Sequence, residues 1–223
     1  MPDPTVDVLY QWPSAARFDR RVPKEKFYEH GTVPPPVREK FVAEVQRITW
    51  AYKLAEATIN LTGDAAIPEV QIFQIEAKND DVSEPVLTAI DKAVRTPVIF
   101  EITCGGDRSV RMAAAHKRAS TGAQKVSTYY STSWQPAGTK RHPLPTAITL
   151  PALYTALLEP LAPVTVRPGE DVSVVAARME AMQRLEREIA TLERKLRTEQ
   201  QFNRKVELHR ALKTKQAELE QQR

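Results

Sequence analysis

"EVQIFQIEAKNDDVSEPVLTAIDKAVRTPVIFEITC", residues 69–104, decides the fold. The opening "EVQIFQIEA" places Val70 and Ile72 beside Phe73 and Ile75, so both faces of an extended segment are apolar. The closing "TPVIFEITC" does the same, and strands apolar on both sides belong inside a sheet rather than at its edge. Between them Ser83 is a capping residue, Pro85 sits near the first turn, and Val86, Leu87, Ile90 and Val94 recur on one helical face. Strand, helix and strand in such a span make a βαβ unit with a right-handed crossover.

Working outward, "PPPVREKFVAEVQRITWAYKLA" (34–55) spaces Val37, Phe41, Val45, Ile48 and Tyr52 as one face of a helix. We expect a helix from about Val37 to Lys53, with the prolines at its start, and a short strand at "ATINL" (57–61). Downstream, "SVRMAAAHKRA" (109–119) and "KVSTYYSTSWQ" (125–135) alternate as strands and predict an antiparallel meander. "LPALYTALLEPLAP" (150–163) reads as a compact helix stopped by Pro160 and Pro163. Residues 1–35 look irregular, broken by proline and held to the surface by Phe18, Phe27 and Tyr28. Within them "RFDRRVPKEKFYEH" (17–30) is basic with scattered aromatics. The expected class is α+β or α/β: an irregular segment 1–35, a mixed-sheet head at 36–167 with flanking helices, and a C-terminal coiled-coil arm at 168–223.

The arm has no Gly or Pro from Asp171 to Gln222. Met182, Leu185, Ile189, Leu192 and Leu196 recur every three or four residues, the seam of a coiled coil. Leu208, Leu212 and Leu219 continue a seam in another register. Two structures satisfy that break: one long helix with a phase change, or a hairpin turning near Gln200 to Asn203. A narrow apolar seam of this length needs company, from its own second half, a second copy or another protein.

At 42% hydrophobic residues the chain can bury a real core, and no apolar run is long enough to span a bilayer. The opening residues are too polar and proline-rich for a secretory signal, so a cytoplasmic location with no membrane contact is expected. The single cysteine, Cys104, excludes an internal disulfide and makes a zinc site unfavourable. The net charge of +4 lies in the arm: Arg178 to Arg223 holds 12 Lys+Arg against 8 Asp+Glu, while the remainder balances at 20 against 20. Such an excess points to a polyanion or an acidic protein as partner.

Two constellations could carry function. Phe202, Asn203, Arg204 and Lys205 lie where the two seams fail to join, flanked by Arg197 and Arg210. One aromatic, one amide and several cations can grip a phosphate backbone or an acidic groove. The plainer reading is a turn with a buried Phe and a capping Asn. The second constellation is "QIEAK", where Glu76 and Lys78 share one face of a central strand. Metal-dependent nucleases of the PD-(D/E)xK type use such a pair, the acid to hold Mg²⁺ and the lysine to support water or phosphate charge. Asp64 and Glu69 are the available further acids, with Glu44 in reach, but no upstream acid is convincingly placed. Otherwise no metal or cofactor is expected: the four histidines show no ligand spacing, and "GGD" lacks the strand-to-helix setting of a phosphate loop. Asp91 and Lys92 read most simply as capping and solvating a helix face, and Tyr129, Tyr130 and Trp134 as core.

Taken in order, "VPKEKFYE", "ITWAYKLAEATINL", "EVQIFQIEAK", "AIDKAVRTPVIFEI", "STYYSTSW", "LPALYTALLEPL" and "EQQFNRKVEL" resemble a bacterial family, the domain of unknown function 4391. The resemblance runs from about Val22 nearly to the end. It implies an accessory component found beside ATP-dependent helicases and DNA methyltransferases in restriction and phage-defence clusters. It carries over no catalytic residue. The expected function is therefore a non-enzymatic adaptor whose head binds such a helicase or methyltransferase and whose arm binds either a subunit or DNA. The alternatives are a Mg-dependent nuclease subunit of the same kind of system, and a homo-oligomer formed through the arm.

Overall fold

A computed structural model describes residues 8–30, 33–105, 109–118, 125–161 and 172–222. They fall into two compact units, within Met1–Pro163 and within Val164–Arg223. The sequence places the boundary near Arg167, which lies outside the described residues, as do "GGD" beyond Gly105 and the first seven positions.

The first unit is mixed α and β. In chain order it holds β1 (Arg17–Arg21), α1 (Lys24–His30), α2 (Pro35–Glu44), β2 (Val45–Ala55), α3 (Glu56–Ile59), β3 (Glu69–Ala77), α4 (Glu84–Ala93), β4 (Val98–Thr103), β5 (Ser109–Arg118), β6 (Lys125–Ser131), β7 (Gln135–Pro136) and α5 (Leu150–Leu158). The seven strands among the described residues form one sheet in the order β1-β2-β3-β4-β5-β6, with β7 paired to β5. Only β3 and β4 run parallel, joined across α4; every other pairing is antiparallel. The βαβ unit and the meander are both present.

Three local expectations are corrected. The helix expected over Val37 to Lys53 stops at Glu44, and the chain passes directly into β2. Two register shifts in β2, between Val45 and Arg47 and between Trp50 and Tyr52, let Val45, Ile48, Ala51 and Leu54 all be buried. A twice-bulged strand thus repeats its buried positions every third residue and imitates a helix. Secondly, "ATINL" is no strand: Glu56–Ile59 is a single helical turn, closed by Asn60 at φ 55°. Thirdly, residues 1–35 are not irregular throughout, because β1 forms the sheet's edge and α1 buries Phe27.

The core lies on both faces of the sheet. On one, Phe73, Ile75, Phe100 and Ile102 meet Phe27 and Phe41 from α1 and α2, and Val86, Leu87 and Ile90 from α4. By strand alternation Ile72, Ile99 and Met112 face the other side, where the Trp12 indole reaches Glu101 and the Tyr154 hydroxyl of α5 donates to the Ala115 carbonyl at 3.2 Å.

The second unit contains α6 (Val172–Thr198) and α7 (Phe202–Gln222), packed on one another. The helices run antiparallel. Arg178 near the start of α6 donates to the Gln222 carbonyl at the end of α7, and Lys215 of α7 pairs with Glu188 of α6 at 3.3 Å. Of the two structures the seams allowed, the hairpin forms.

Candidate functional site

The turn between α6 and α7 is three polar residues, Glu199, Gln200 and Gln201, in a stretch without glycine or proline. A side chain closes it instead. Glu199 Oε1 accepts the backbone N–H groups of Gln200 at 2.9 Å and Gln201 at 3.0 Å, while its own N–H ends α6 on the Lys195 carbonyl. The Gln201 carbonyl then accepts from Lys205 and starts α7. Those two amide bonds, with the charges of Arg204 and Lys205, hold the Glu199 carboxyl below the usual glutamate range. Glu199 was not singled out by sequence reasoning; its signal was an acid directly before a polar pair at the seam break.

Around this turn the cations are exposed. Lys195 and Arg197 occupy the last turn of α6 with Arg194 just before it, Asn203, Arg204 and Lys205 the first turn of α7, and Arg210 lies further along. Residues 194–205 hold five Lys/Arg against one Glu, an excess equal to the whole chain's +4. Arg204 approaches Glu199 at 3.7 Å but stays 68% exposed, so that pair is worth little. Lys195 and Arg197 suit the negative end of the α6 dipole, whereas Arg204 and Lys205 oppose the positive end of α7. Helix stability alone would favour acids in that first turn, which has none. Phe202 opens α7; its side chain lies outside the described residues.

The E-x-K pair sits at the end of β3, where both charges are already engaged. Glu76 is opposite Arg47 in the β2 register and accepts the Arg47 guanidinium. Lys78 Nζ donates to the Val42 carbonyl at 2.7 Å, and Lys24 Nζ donates to those of Phe41 and Val45. The two lysines thereby satisfy the last carbonyls of a helix that has no room for an ordinary C-terminal turn. Glu44 is spent on Ser83, accepting its N–H at 2.8 Å and its hydroxyl at 3.0 Å. Glu69 stands at the other end of β3, paired with Lys53, and Asp64 closes a turn on the amides of Ala66 and Ile67. Glu76 lies within β3 and Lys78 just past its last residue, Ala77, with each side chain taken by a different partner, and Asp64 and Glu69 do not join them. No three Asp, Glu, His or Cys among the described residues are grouped as a metal site.

Two buried polar clusters escaped the sequence. Asp91 does not solvate a helix face: it is fully buried, ion-paired with Lys117 and hydrogen-bonded by the Tyr129 hydroxyl at 2.8 Å. Lys117 also donates to the carbonyls of Asp91, Val94 and Thr96 at the end of α4. Burial pushes the Asp91 carboxyl and the Tyr129 phenol up and the Lys117 ammonium down, while the opposite charges of Asp91 and Lys117 pull both back. On the opposite face, Glu101 accepts from the Trp12 indole at 2.7 Å, from Gln74 at 3.1 Å and from Arg141 at 2.6 Å. In each cluster the acid is paired with a cation, and the two clusters fasten loops and helix to sheet. Trp134 is exposed rather than core, with the Arg111 guanidinium stacked over it at 5.3 Å.

The profile of one protein family, described as a domain of unknown function (DUF4391), matches residues 11–219. No curated protein and no solved structure matches the chain. The chain belongs to the DUF4391 family.

Proposed function

From that membership and the placement of charge, we propose that the protein is a non-enzymatic accessory subunit of a bacterial anti-phage, restriction-like DNA-targeting system. The sheet domain docks on a helicase or DNA methyltransferase of the system, and the C-terminal helices form a coiled-coil arm whose tip meets DNA phosphates. One observation carries this reading: the chain's entire charge excess sits in the exposed turn region 194–205. An arm that also engages protein is favoured by its incomplete seam. Met182, Leu185, Leu212 and Leu219 are buried, but Ile189, Leu192, Leu196, Val206 and Leu208 are only half-buried. Beside them runs a groove of about 630 Å³ lined by Leu192, Ala211 and Thr214. Two helices cannot enclose such a stripe, and a further helix would.

A nuclease subunit is the second reading, favoured by the Glu76–Lys78 pair at the end of a parallel strand. Against it stand Arg47 on the carboxylate and the Val42 carbonyl on the amine. The two are separated by pull-down of the tagged full chain with the products of neighbouring genes, alongside phage-protection assays on Glu76→Ala. The adaptor reading expects a helicase or methyltransferase to be captured, capture to fall when residues 172–222 are removed, and Glu76→Ala to protect fully. Loss of protection in a folded, partner-bound Glu76→Ala protein would favour the nuclease.

A further inference from the structure

The edge of the sheet presents a second charged surface, built from residues of the first unit alone. All five residues of β1, "RFDRR", are exposed. A bare edge strand normally invites another strand to pair with it. Here that is prevented: Asp19 takes φ 52°, and the pairing with β2 shifts register between Arg17 and Arg20. What the edge offers is side chains. Arg17 is paired with Asp19 at 2.8 Å. Arg20 lies 5.1 Å from the centre of the Phe18 ring, and Phe18 packs at 4.1 Å on Trp50, which stacks parallel on Phe73 at 6.1 Å. A pile therefore runs from the core to solvent through Phe73, Trp50, Phe18 and Arg20. Its outer end remains accessible, with Phe18 38% exposed, and Arg21 beside it has no ion pair among the described residues.

We propose that this edge binds single-stranded nucleic acid, an unpaired base stacking at the outer end of the pile on the Arg20 guanidinium that Phe18 supports, while the in-plane donors of Arg20 and those of Arg21 hold the adjacent phosphates. A guanidinium laid on an aromatic ring is pre-organised, with its in-plane donors free for phosphate oxygens. Cations alternating with exposed aromatics suit a strand whose bases are free to stack. A duplex hides its base faces and would use the cations alone. A peptide would need the strand pairing that the Asp19 bulge denies. The surface stands on its own residues, whether or not the hairpin tip binds a duplex.

The test is fluorescence anisotropy of the full chain with a fluorescein-labelled oligothymidylate, titrated against salt, beside a duplex of equal length. Arg20→Ala/Arg21→Ala is expected to weaken single-strand binding roughly tenfold and to flatten the log–log salt slope by about 1.4, at ~0.7 per phosphate contact. Phe18→Ala should weaken it about fivefold or more with the slope unchanged. Arg20→Lys, which keeps the charge without the planar stack, should also keep the slope while losing affinity. Unchanged affinity in all three folded variants would overturn the proposal, and so would an equal loss of duplex and single-strand binding. If only Arg204→Ala/Lys205→Ala weakens binding, the edge is excluded and the tip stands.

Discussion

Lys78 shows how a motif can be legible in sequence and still mislead. The spacing put Glu76 and Lys78 on one face of a central strand; Glu76 does lie in β3, but that strand ends at Ala77, one residue before Lys78. Spacing could not show Arg47 opposite Glu76, nor that the helix stops at Glu44 and leaves the Val42 carbonyl for Lys78. Asp91 was misread for the same reason, since its partners Lys117 and Tyr129 arrive from strands further along the chain. Removing one member of such a buried pair typically costs about 3–5 kcal/mol. Glu199 offers the direct pH readout at this scale. Its folded carboxyl is held low, so its contribution to the turn is complete above the unfolded glutamate pKa and is lost as pH falls through the folded value. We predict an NMR titration midpoint for Glu199 below that of an ordinary glutamate. It should rise in Arg204→Ala/Lys205→Ala as two nearby positive charges disappear; an unshifted midpoint would mean that the two cations do not face the turn.

At the scale of elements, periodicity served well where strands are regular and failed where they are not. The strand–helix–strand unit at 69–103 was readable because α4 keeps one apolar face between two strands apolar on both sides. β2 was taken for helix because its two bulges bring Val45, Ile48, Ala51 and Leu54 inward at intervals of three. The hairpin was half legible: the register break marked the turn, but a carboxylate cap carries no composition signal as strong as glycine. The two compact units yield a prediction for Leu212, buried between α6 and α7. Leu212→Ala should destabilise the hairpin by about 2–3 kcal/mol. Amide exchange should then accelerate across residues 172–222 while β3, β4 and α4 keep their protection. Uniform loss of protection would show that the two units unfold as one.

Over the whole molecule, the placement of charge distinguishes the chain. Among the described residues of the sheet domain, the buried Asp91 and Glu101 are each paired internally, and over Met1–Pro163 the charges come within one of balance, 19 Lys+Arg against 18 Asp+Glu. The excess is gathered at a helical turn where two of the cations work against their own helix dipole. Composition alone located the excess in the arm; only the fold showed that its centre is a turn at the end of two packed helices. Membership of the DUF4391 family assigns neither a role nor a chemistry. The most direct test of the tip is the salt dependence of binding to a short DNA duplex, measured on the full chain and on Arg204→Ala/Lys205→Ala. Each cation that meets a phosphate releases about 0.9 counterion, so the variant's log–log slope should fall by roughly 1.8. Identical slopes in the two proteins would contradict a DNA-contacting tip.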